Sequence, residues 1–130
     1  MSKAPLVAIV DDDDDVREAL SDLLWVIGLE ARAFDRAEAL LEEFEPDMFD
    51  CIVTDARMPG MSGLQLLRCV RGFGSSVPVI VITSDADSTI RSRALSDGAH
   101  AHLVKPIEDR MLLLHLASAL VGKWKGGSNG

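Results

Sequence analysis

Short apolar runs alternate along the chain with longer segments in which apolar residues recur every three or four positions. The runs cover residues 6–10, 30–34, 51–54, 77–83 and 101–104, and the run at 30–34 is the weakest. Their length and their content of Val, Ile and Leu are typical of strands that are buried on both faces. The pattern therefore predicts five strands, with a helix after each of them.

The segments between the strands have the spacing of amphipathic helices. Helices are predicted after the first strand and over residues 36–45, 63–71 and 88–97, with Ser62 as the entry to the third. Pro106 is predicted to open the fifth helix in its first turn. The apolar face of the first helix is formed by Val16, Leu20, Leu23, Leu24 and Ile27. The apolar face of the fifth is formed by Leu112, Leu113, Leu116, Leu120 and Val121.

Regular alternation of strands and helices favours an α/β domain with a mostly parallel sheet covered on both faces. Each parallel strand needs a crossover to return the chain, and a helix supplies it. A length of 130 residues suits one such domain, which we expect to cover residues 1–121. Residues 122–130 contain four glycines, which indicates a tail or a truncated linker.

Composition excludes some classes of function and indicates the cellular compartment. The formal net charge of -8 disfavours direct binding to nucleic acid or to anionic lipid. No segment approaches the roughly 20 apolar residues that a membrane span needs. The two cysteines, Cys51 and Cys69, lie within apolar segments, which favours reduced thiols over a disulfide framework and predicts a cytoplasmic protein.

Polar and charged residues stand where the predicted strands end. Asp11 and Asp12 follow the first strand and Asp55 follows the third, while Thr83 ends the fourth and Lys105 follows the fifth. Ligands of open parallel sheets bind beyond the carboxyl ends of the strands. We therefore expect these side chains to form one site.

Three carboxylates at one edge of a sheet repel one another, by about 4 kcal/mol for a pair 4 Å apart at an effective dielectric constant near 20. Lys105 and a hard divalent cation such as Mg²⁺ are the candidates for neutralising them. In such a site a carboxylate can attack phosphorus and form an aspartyl phosphate. Asp55 is the best candidate nucleophile because its strand is central, whereas the adjacent pair is better placed to hold metal, and Thr83 can donate a hydrogen bond to a phosphoryl oxygen.

Four motifs carry a resemblance to the receiver domain of bacterial two-component response regulators over about residues 5–121. They are Ile9-Val10-Asp11-Asp12, the loop TDARMPGMSG at residues 54–63, Ile82-Thr83-Ser84 and Val104-Lys105-Pro106. Each motif alone is weak, but their order and their positions at strand ends make the combination specific. The resemblance is greatest to receivers that precede a helix-turn-helix DNA-binding domain.

The resemblance implies a flavodoxin-like, doubly wound (βα)5 fold with strand order 2-1-3-4-5. It implies that Asp55 accepts a phosphoryl group from a sensor histidine kinase or a phosphotransfer protein. Asp12 and Asp55 would bind Mg²⁺ directly, Asp11 through water, and Arg57 through its backbone carbonyl. It further implies that phosphorylation changes the shape of the face built from the fourth helix, the fifth strand and the last helix. A homodimer on phosphorylation is a separate expectation.

The same resemblance assigns a switch. Lys105 would pair with the phosphoryl group, Thr83 would move toward it, and the Lys105–Pro106 bond is a candidate for the cis form. The family usually has Tyr or Phe three residues before the lysine, and here that residue is His102. Because histidine titrates near neutrality, the coupling of Thr83 to this position is expected to differ from that of an aromatic residue.

Two other functions compete with this interpretation. A Mg²⁺-dependent phosphohydrolase could use the same aspartyl phosphate, but the position two residues after Asp55 holds Arg57 and not a second acid, and no insertion is present to cap a substrate pocket. A receiver-like domain that no longer accepts phosphate is disfavoured by the complete acidic set. His100 and His102 lack a third ligand at a spacing that would suit zinc.

Overall fold

The computed structural model describes residues 4–84 and 88–124. Five strands alternate with five helices in this part of the chain. The strands are β1 (Leu6–Val10), β2 (Glu30–Phe34), β3 (Cys51–Asp55), β4 (Val79–Thr83) and β5 (Ala101–Val104). The helices are α1 (Asp14–Val26), α2 (Ala37–Glu43), α3 (Gly63–Gly72), α4 (Ser88–Ser96) and α5 (Asp109–Ala119). All pairings are parallel and the order is β2-β1-β3-β4-β5, which confirms the predicted fold class.

The sheet separates two apolar clusters, one on each face. Successive residues of β4 alternate between them: Val79 and Val81 pack with buried residues of α2, α3 and α4, while Ile80 and Ile82 pack with those of α1 and α5. All five residues of β3 and of β4 are buried, which explains their continuous apolar sequence. β2 is an edge strand with three exposed residues, and this position explains why its apolar run is the weakest.

Three predicted boundaries, the end of α2 and the starts of β4 and α5, were wrong by two or three residues. α2 ends at Glu43 because Phe44 is extended and its ring stacks between those of Phe49 and Phe73. β4 begins only at Val79, since the preceding loop is held by the Arg71 guanidinium, which donates to three backbone carbonyls. The carbonyls belong to Ser75, Val77 and Gly98.

The start of α5 also differs from the prediction. Pro106 precedes the helix, which begins at Asp109. Ile107, between Pro106 and the helix, packs against the apolar cluster between the sheet, α1 and α5. The Lys105–Pro106 peptide bond is cis. Leu112 and Leu116 of α5 and Leu120 directly after it are buried as predicted, whereas Val121 is 78% exposed.

The predicted tail begins at Gly122, and its first residues contact the domain. The indole Nε1 of Trp124 donates to the carbonyl of Ile27, 3.2 Å away, and Nζ of Lys123 lies 3.1 Å from a carboxylate oxygen of Asp50. The remainder of the predicted tail, residues 125–130, lies outside the described residues. Within the described ranges no helix is long and apolar enough to cross a membrane.

Candidate functional site

Three carboxylates meet where β1 and β3 end. The two strands are neighbours with Val10 opposite Thr54, so that Asp11 and Asp55 follow at the same level of the sheet. Asp11 and Asp55 are buried and Asp12 is exposed. One carboxylate oxygen from each of Asp11, Asp12 and Asp55 lies within 4.8 Å of the others. The structure thus brings together the three acids that the sequence places at separate strand ends.

The β1–α1 loop holds Asp11 in place. Its carboxylate accepts a hydrogen bond from the Asp13 backbone N–H at 2.9 Å, and its backbone carbonyl accepts one from Nη1 of Arg17 at 2.7 Å. Asp13 in turn caps α1, because its side chain accepts from the backbone N–H groups of Asp15 and Val16. The buried carboxylate is therefore oriented by the backbone that follows it, while Asp12 faces solvent.

Lys105 supplies the positive charge of the cluster. Its Nζ lies 3.1 Å from Oδ2 of Asp55 and 3.3 Å from Oδ2 of Asp11. Burial by itself would lower the pKa of Lys105, but the hydrogen bond to Asp55 and the attraction of both carboxylates outweigh burial and raise that pKa. The ammonium group is thus retained in the presence of the acids and bridges the two buried ones.

The β3–α3 loop, residues 56–62, directly follows Asp55, and hydrogen bonds join its two ends. The backbone N–H of Arg57 donates to Oδ1 of Asp55 at 3.2 Å, and that of Gly63 donates to the Ala56 carbonyl at 3.0 Å. Ser62 and Gln65 form a capping box at the start of α3. The loop therefore returns the chain to the base of Asp55, and Gly63 lies directly against it.

Thr83 and His102 lie on the neighbouring strands. Thr83 is the last residue of β4, buried, and opposite Val104 of β5. His102 is two residues before Val104 and therefore on the same face of the sheet as Thr83. The Nε2 atom of His102 is buried and has no hydrogen-bond partner among the described residues, and burial lowers its pKa, as does the charge of Arg91.

Two residues that the sequence did not single out support this site. Arg17 holds the Asp11 carbonyl, and Glu38 of α2 accepts a hydrogen bond from the Met61 backbone N–H in the β3–α3 loop at 3.0 Å. Arg17 stands three residues after Asp14 and forms an ion pair with it, which is a recognisable helical spacing. No sequence signal points to Glu38, because it lies 23 residues away from Met61.

The donor atoms of the site suit a hard cation. All three side chains offer carboxylate oxygens, and Asp12 is open to solvent. Mg²⁺ binds through one or two carboxylates and keeps several water or phosphate oxygens as further ligands. The arrangement fits an ion that is held between the acids and completed by water or phosphate.

In the absence of divalent cations, replacing Asp11 with asparagine is expected to remove a pH-dependent loss of stability. Burial raises the pKa of Asp11 above its ordinary value of 3.8, and the charge of Asp55 adds to this. The folded protein thus binds this proton more tightly than the unfolded chain does. Its contribution to stability is present at low pH and is lost as the pH rises from 3.8 through the folded pKa.

Urea denaturation of the wild type and Asp11→Asn between about pH 4 and pH 7 measures this contribution. The free energy of unfolding of the wild type should fall relative to that of the variant as the pH rises, and the difference should then become constant. A difference that stays constant over the whole range, or that grows in favour of the wild type, would contradict the prediction.

Comparisons with known proteins identify relatives along most of the chain. Residues 7–117 match the response regulator receiver domain. The transcriptional regulatory protein FixJ of Azorhizobium caulinodans is 40% identical over 114 residues, which are 88% of this chain and 54% of that protein. Response regulator protein TodT of Pseudomonas putida is 35% identical over 118 residues, 91% of this chain and 52% of that protein. The chain therefore spans about half the length of these curated relatives.

Solved structures agree with the sequence comparison. The crystal structure of FixJ-N superposes with a TM-score of 0.82 at 37% sequence identity and covers 92% of this chain and 94% of that one.

Proposed function

Because the chain belongs to the response regulator receiver domain family, we propose that it is a phosphorylation-controlled signalling module whose phosphoacceptor is Asp55. One observation carries this proposal: the Asp55 carboxylate lies in a three-acid cluster and is contacted by Lys105. The same carboxylate thus adjoins both a cation-binding group of oxygens and a fixed ammonium group. A carboxylate that attacks phosphorus needs such positive charge close to the phosphoryl oxygens.

In the proposed reaction an oxygen of Asp55 bonds to phosphorus while the bond between phosphorus and the donor histidine nitrogen breaks. The electron pair of that bond remains on the nitrogen. Asp12 and Asp55 would hold Mg²⁺ directly, Asp11 would hold it through water, and the Arg57 carbonyl would complete the protein ligands. When bound, the ion neutralises charge on the phosphoryl oxygens.

Lys105 would move its ammonium group from the two carboxylates to the phosphoryl group. Its position between Asp11 and Asp55 supports this role, because phosphorylation changes the charge at the atom it already contacts. Thr83 would donate its hydroxyl hydrogen to a phosphoryl oxygen. Its burial at the end of β4, the strand next to that of Asp55, supports this assignment.

His102 would replace the usual aromatic residue as the partner of Thr83 in the switch. His102 lies on the same face of the sheet as Thr83, two residues before Val104, which is opposite Thr83. Its buried Nε2 has no hydrogen-bond partner among the described residues. A neutral ring is favoured there because burial lowers the pKa of His102. The switch would therefore respond to the packing and hydrogen bonding of an imidazole.

The signal would leave through the face of α4, β5 and α5, where a homodimer would form on phosphorylation. Large apolar side chains are exposed on these three elements, as is typical of an interaction surface. They are Leu95, Val104, Met111 and Leu114. The protein would be cytoplasmic, and its phosphoryl donor would be a sensor histidine kinase or a phosphotransfer protein. The transcriptional regulatory protein FixJ, of which the match covers only 54%, supports a role in transcription control through an output domain.

Intact mass spectrometry after incubation with a small acyl or amido phosphate and Mg²⁺ tests the proposal. The wild type is expected to gain one phosphoryl group, and chelation of Mg²⁺ should prevent the gain. No gain with excess donor and metal would sink the proposal. Continuous turnover of a generic phosphate ester would favour the phosphohydrolase instead, although Arg57 stands where that mechanism needs a second acid.

A further inference from the structure

We propose that Glu38 of α2 is a positioning residue for phosphotransfer, which holds the β3–α3 loop in the conformation that the metal site requires. The inference rests on the proposed function of Asp55 and adds to it a residue outside the acidic cluster and outside the four sequence motifs. Glu38 would not touch the phosphoryl group. It would act through the backbone of the loop.

The contact between Glu38 and the loop is close and directional. Oε2 of Glu38 accepts a hydrogen bond from the Met61 backbone N–H at 3.0 Å. The neighbouring Gly60 has a φ of +78°, and a Cβ atom built on it would lie only 2.7 Å from the same Oε2. The loop backbone therefore lies directly against the carboxylate, and glycine is the residue that permits both the conformation and the approach.

Glu38 holds the middle of the β3–α3 loop, between the hydrogen bonds that fix the two ends of the loop. At the start, Ala56 donates to the carbonyl of Ile82 and Arg57 to the side chain of Asp55. At the end, Ser62 is fixed by the capping box of α3. Between these anchors the hydrogen bond at Met61 comes from another element, and it limits how the peptides after Arg57 can rotate. The direction of the Arg57 carbonyl, the proposed backbone ligand, depends on those peptides.

The location of Glu38 also connects it with the acidic cluster. A cleft of about 450 Å³ lies between the β1–α1 loop, the start of α2 and the β3–α3 loop. Its lining residues are Asp12, Asp14, Asp35, Arg36, Glu38, Pro59 and Gly60. Asp12, a proposed metal ligand, and Glu38 thus border the same space. A shift of the loop toward this space would alter the surroundings of Asp12 as well as those of Arg57.

The chemistry of the Glu38 carboxylate suits a fixed acceptor. Hydrogen bonds from its own amide and from that of Met61 lower its pKa, so the group is ionised at neutral pH. Its second oxygen, Oε1, is buried and lacks a partner among the described residues. One oxygen therefore makes the contact with the loop, and the carbonyl oxygen of a glutamine at this position is able to make the same contact.

The test compares Glu38→Ala with Glu38→Gln, and uses Glu42→Ala as the matched control, an exposed glutamate on the same helix. Isothermal titration calorimetry with MgCl₂ gives the Kd of the unphosphorylated protein, and NMR hydrogen exchange gives the protection of the Met61 amide. Glu38→Ala is expected to weaken Mg²⁺ binding about 10-fold, the usual effect of removing a group that orients a metal ligand. Met61 should lose protection, and phosphorylation by the small donor should slow at subsaturating Mg²⁺. Glu38→Gln and Glu42→Ala should stay close to the wild type.

A purely structural role for Glu38 is distinguished by the amide of Ile52, which donates to Pro78 in the sheet. If Met61 and Ile52 lose protection equally, the variant is destabilised as a whole and the inference is overturned. It is also overturned if Glu38→Ala binds Mg²⁺ like the wild type, or if Glu38→Gln loses as much affinity as Glu38→Ala. A wild type that binds Mg²⁺ but gains no phosphoryl group would refute the proposed function and leave the Mg²⁺ and exchange results to decide on Glu38.

Discussion

The Asp55→Asn variant is expected to gain no phosphoryl group under conditions in which the wild type gains one. Asparagine has almost the same shape as aspartate, but its amide oxygen carries no full negative charge and is a poor nucleophile toward phosphorus. The substitution also removes one of three mutually repelling carboxylates, while Asp11 remains to bind Lys105. The variant should therefore fold, and its loss of phosphorylation should be chemical in origin.

Asp15→Asn is the matched control for this prediction. Asp15 is exposed in the first turn of α1 and is not among the three clustered acids. Its variant should gain one phosphoryl group as the wild type does. Intact mass measured at the same donor and Mg²⁺ concentrations decides between the outcomes, and circular dichroism verifies the fold of each protein. A phosphoryl gain that survives Asp55→Asn would move the acceptor to another residue.

The arrangement of strands and acids was predictable because it depends on short-range pattern and on one topological rule. Apolar runs of strand length located four of the five strand starts, and the parallel sheet then places every strand end on one edge. Asp11, Asp55 and Lys105 meet there, although the chain separates Lys105 from Asp11 by 94 residues. Site residues that directly follow a buried strand can therefore be predicted from the local sequence.

The contacts that tune the loops were not predictable in the same way. Glu38 and Arg71 bind backbone groups of segments distant in sequence, and any residue type can offer a backbone amide or carbonyl. The later start of α5 has a similar origin. Pro106 is suited to the first turn of a helix, but Ile107 packs against the apolar cluster between the sheet, α1 and α5 before the helix begins. Local propensity predicted the element, and tertiary packing decided its first residue.

Gly63→Ala, a change at the first residue of α3, is expected to destabilise the protein strongly although it adds only one methyl group. A Cβ atom at Gly63 would lie 2.1 Å from the backbone carbonyl oxygen of Asp55 and 3.1 Å from the Cα of Ala56. Both are backbone atoms, one in the last residue of the buried strand β3 and one in the residue after it, so no flexible side chain can move aside. Alanine in a helix is favoured over glycine by about 1 kcal/mol, but overpacking of this kind costs about 3 kcal/mol or more.

Gly72→Ala at the other end of α3 is the matched control, because nothing lies within 4 Å of a Cβ atom there. It should be neutral or stabilise the protein by up to about 1 kcal/mol. Urea denaturation measures both variants, and Gly63→Ala should unfold at a clearly lower midpoint than the wild type. Where it remains folded, phosphorylation should also slow, because the displaced atoms belong to Asp55 itself. Equal midpoints for the two variants would show that the strand can yield at Asp55, and the close approach of α3 would then not be what holds Asp55 in place.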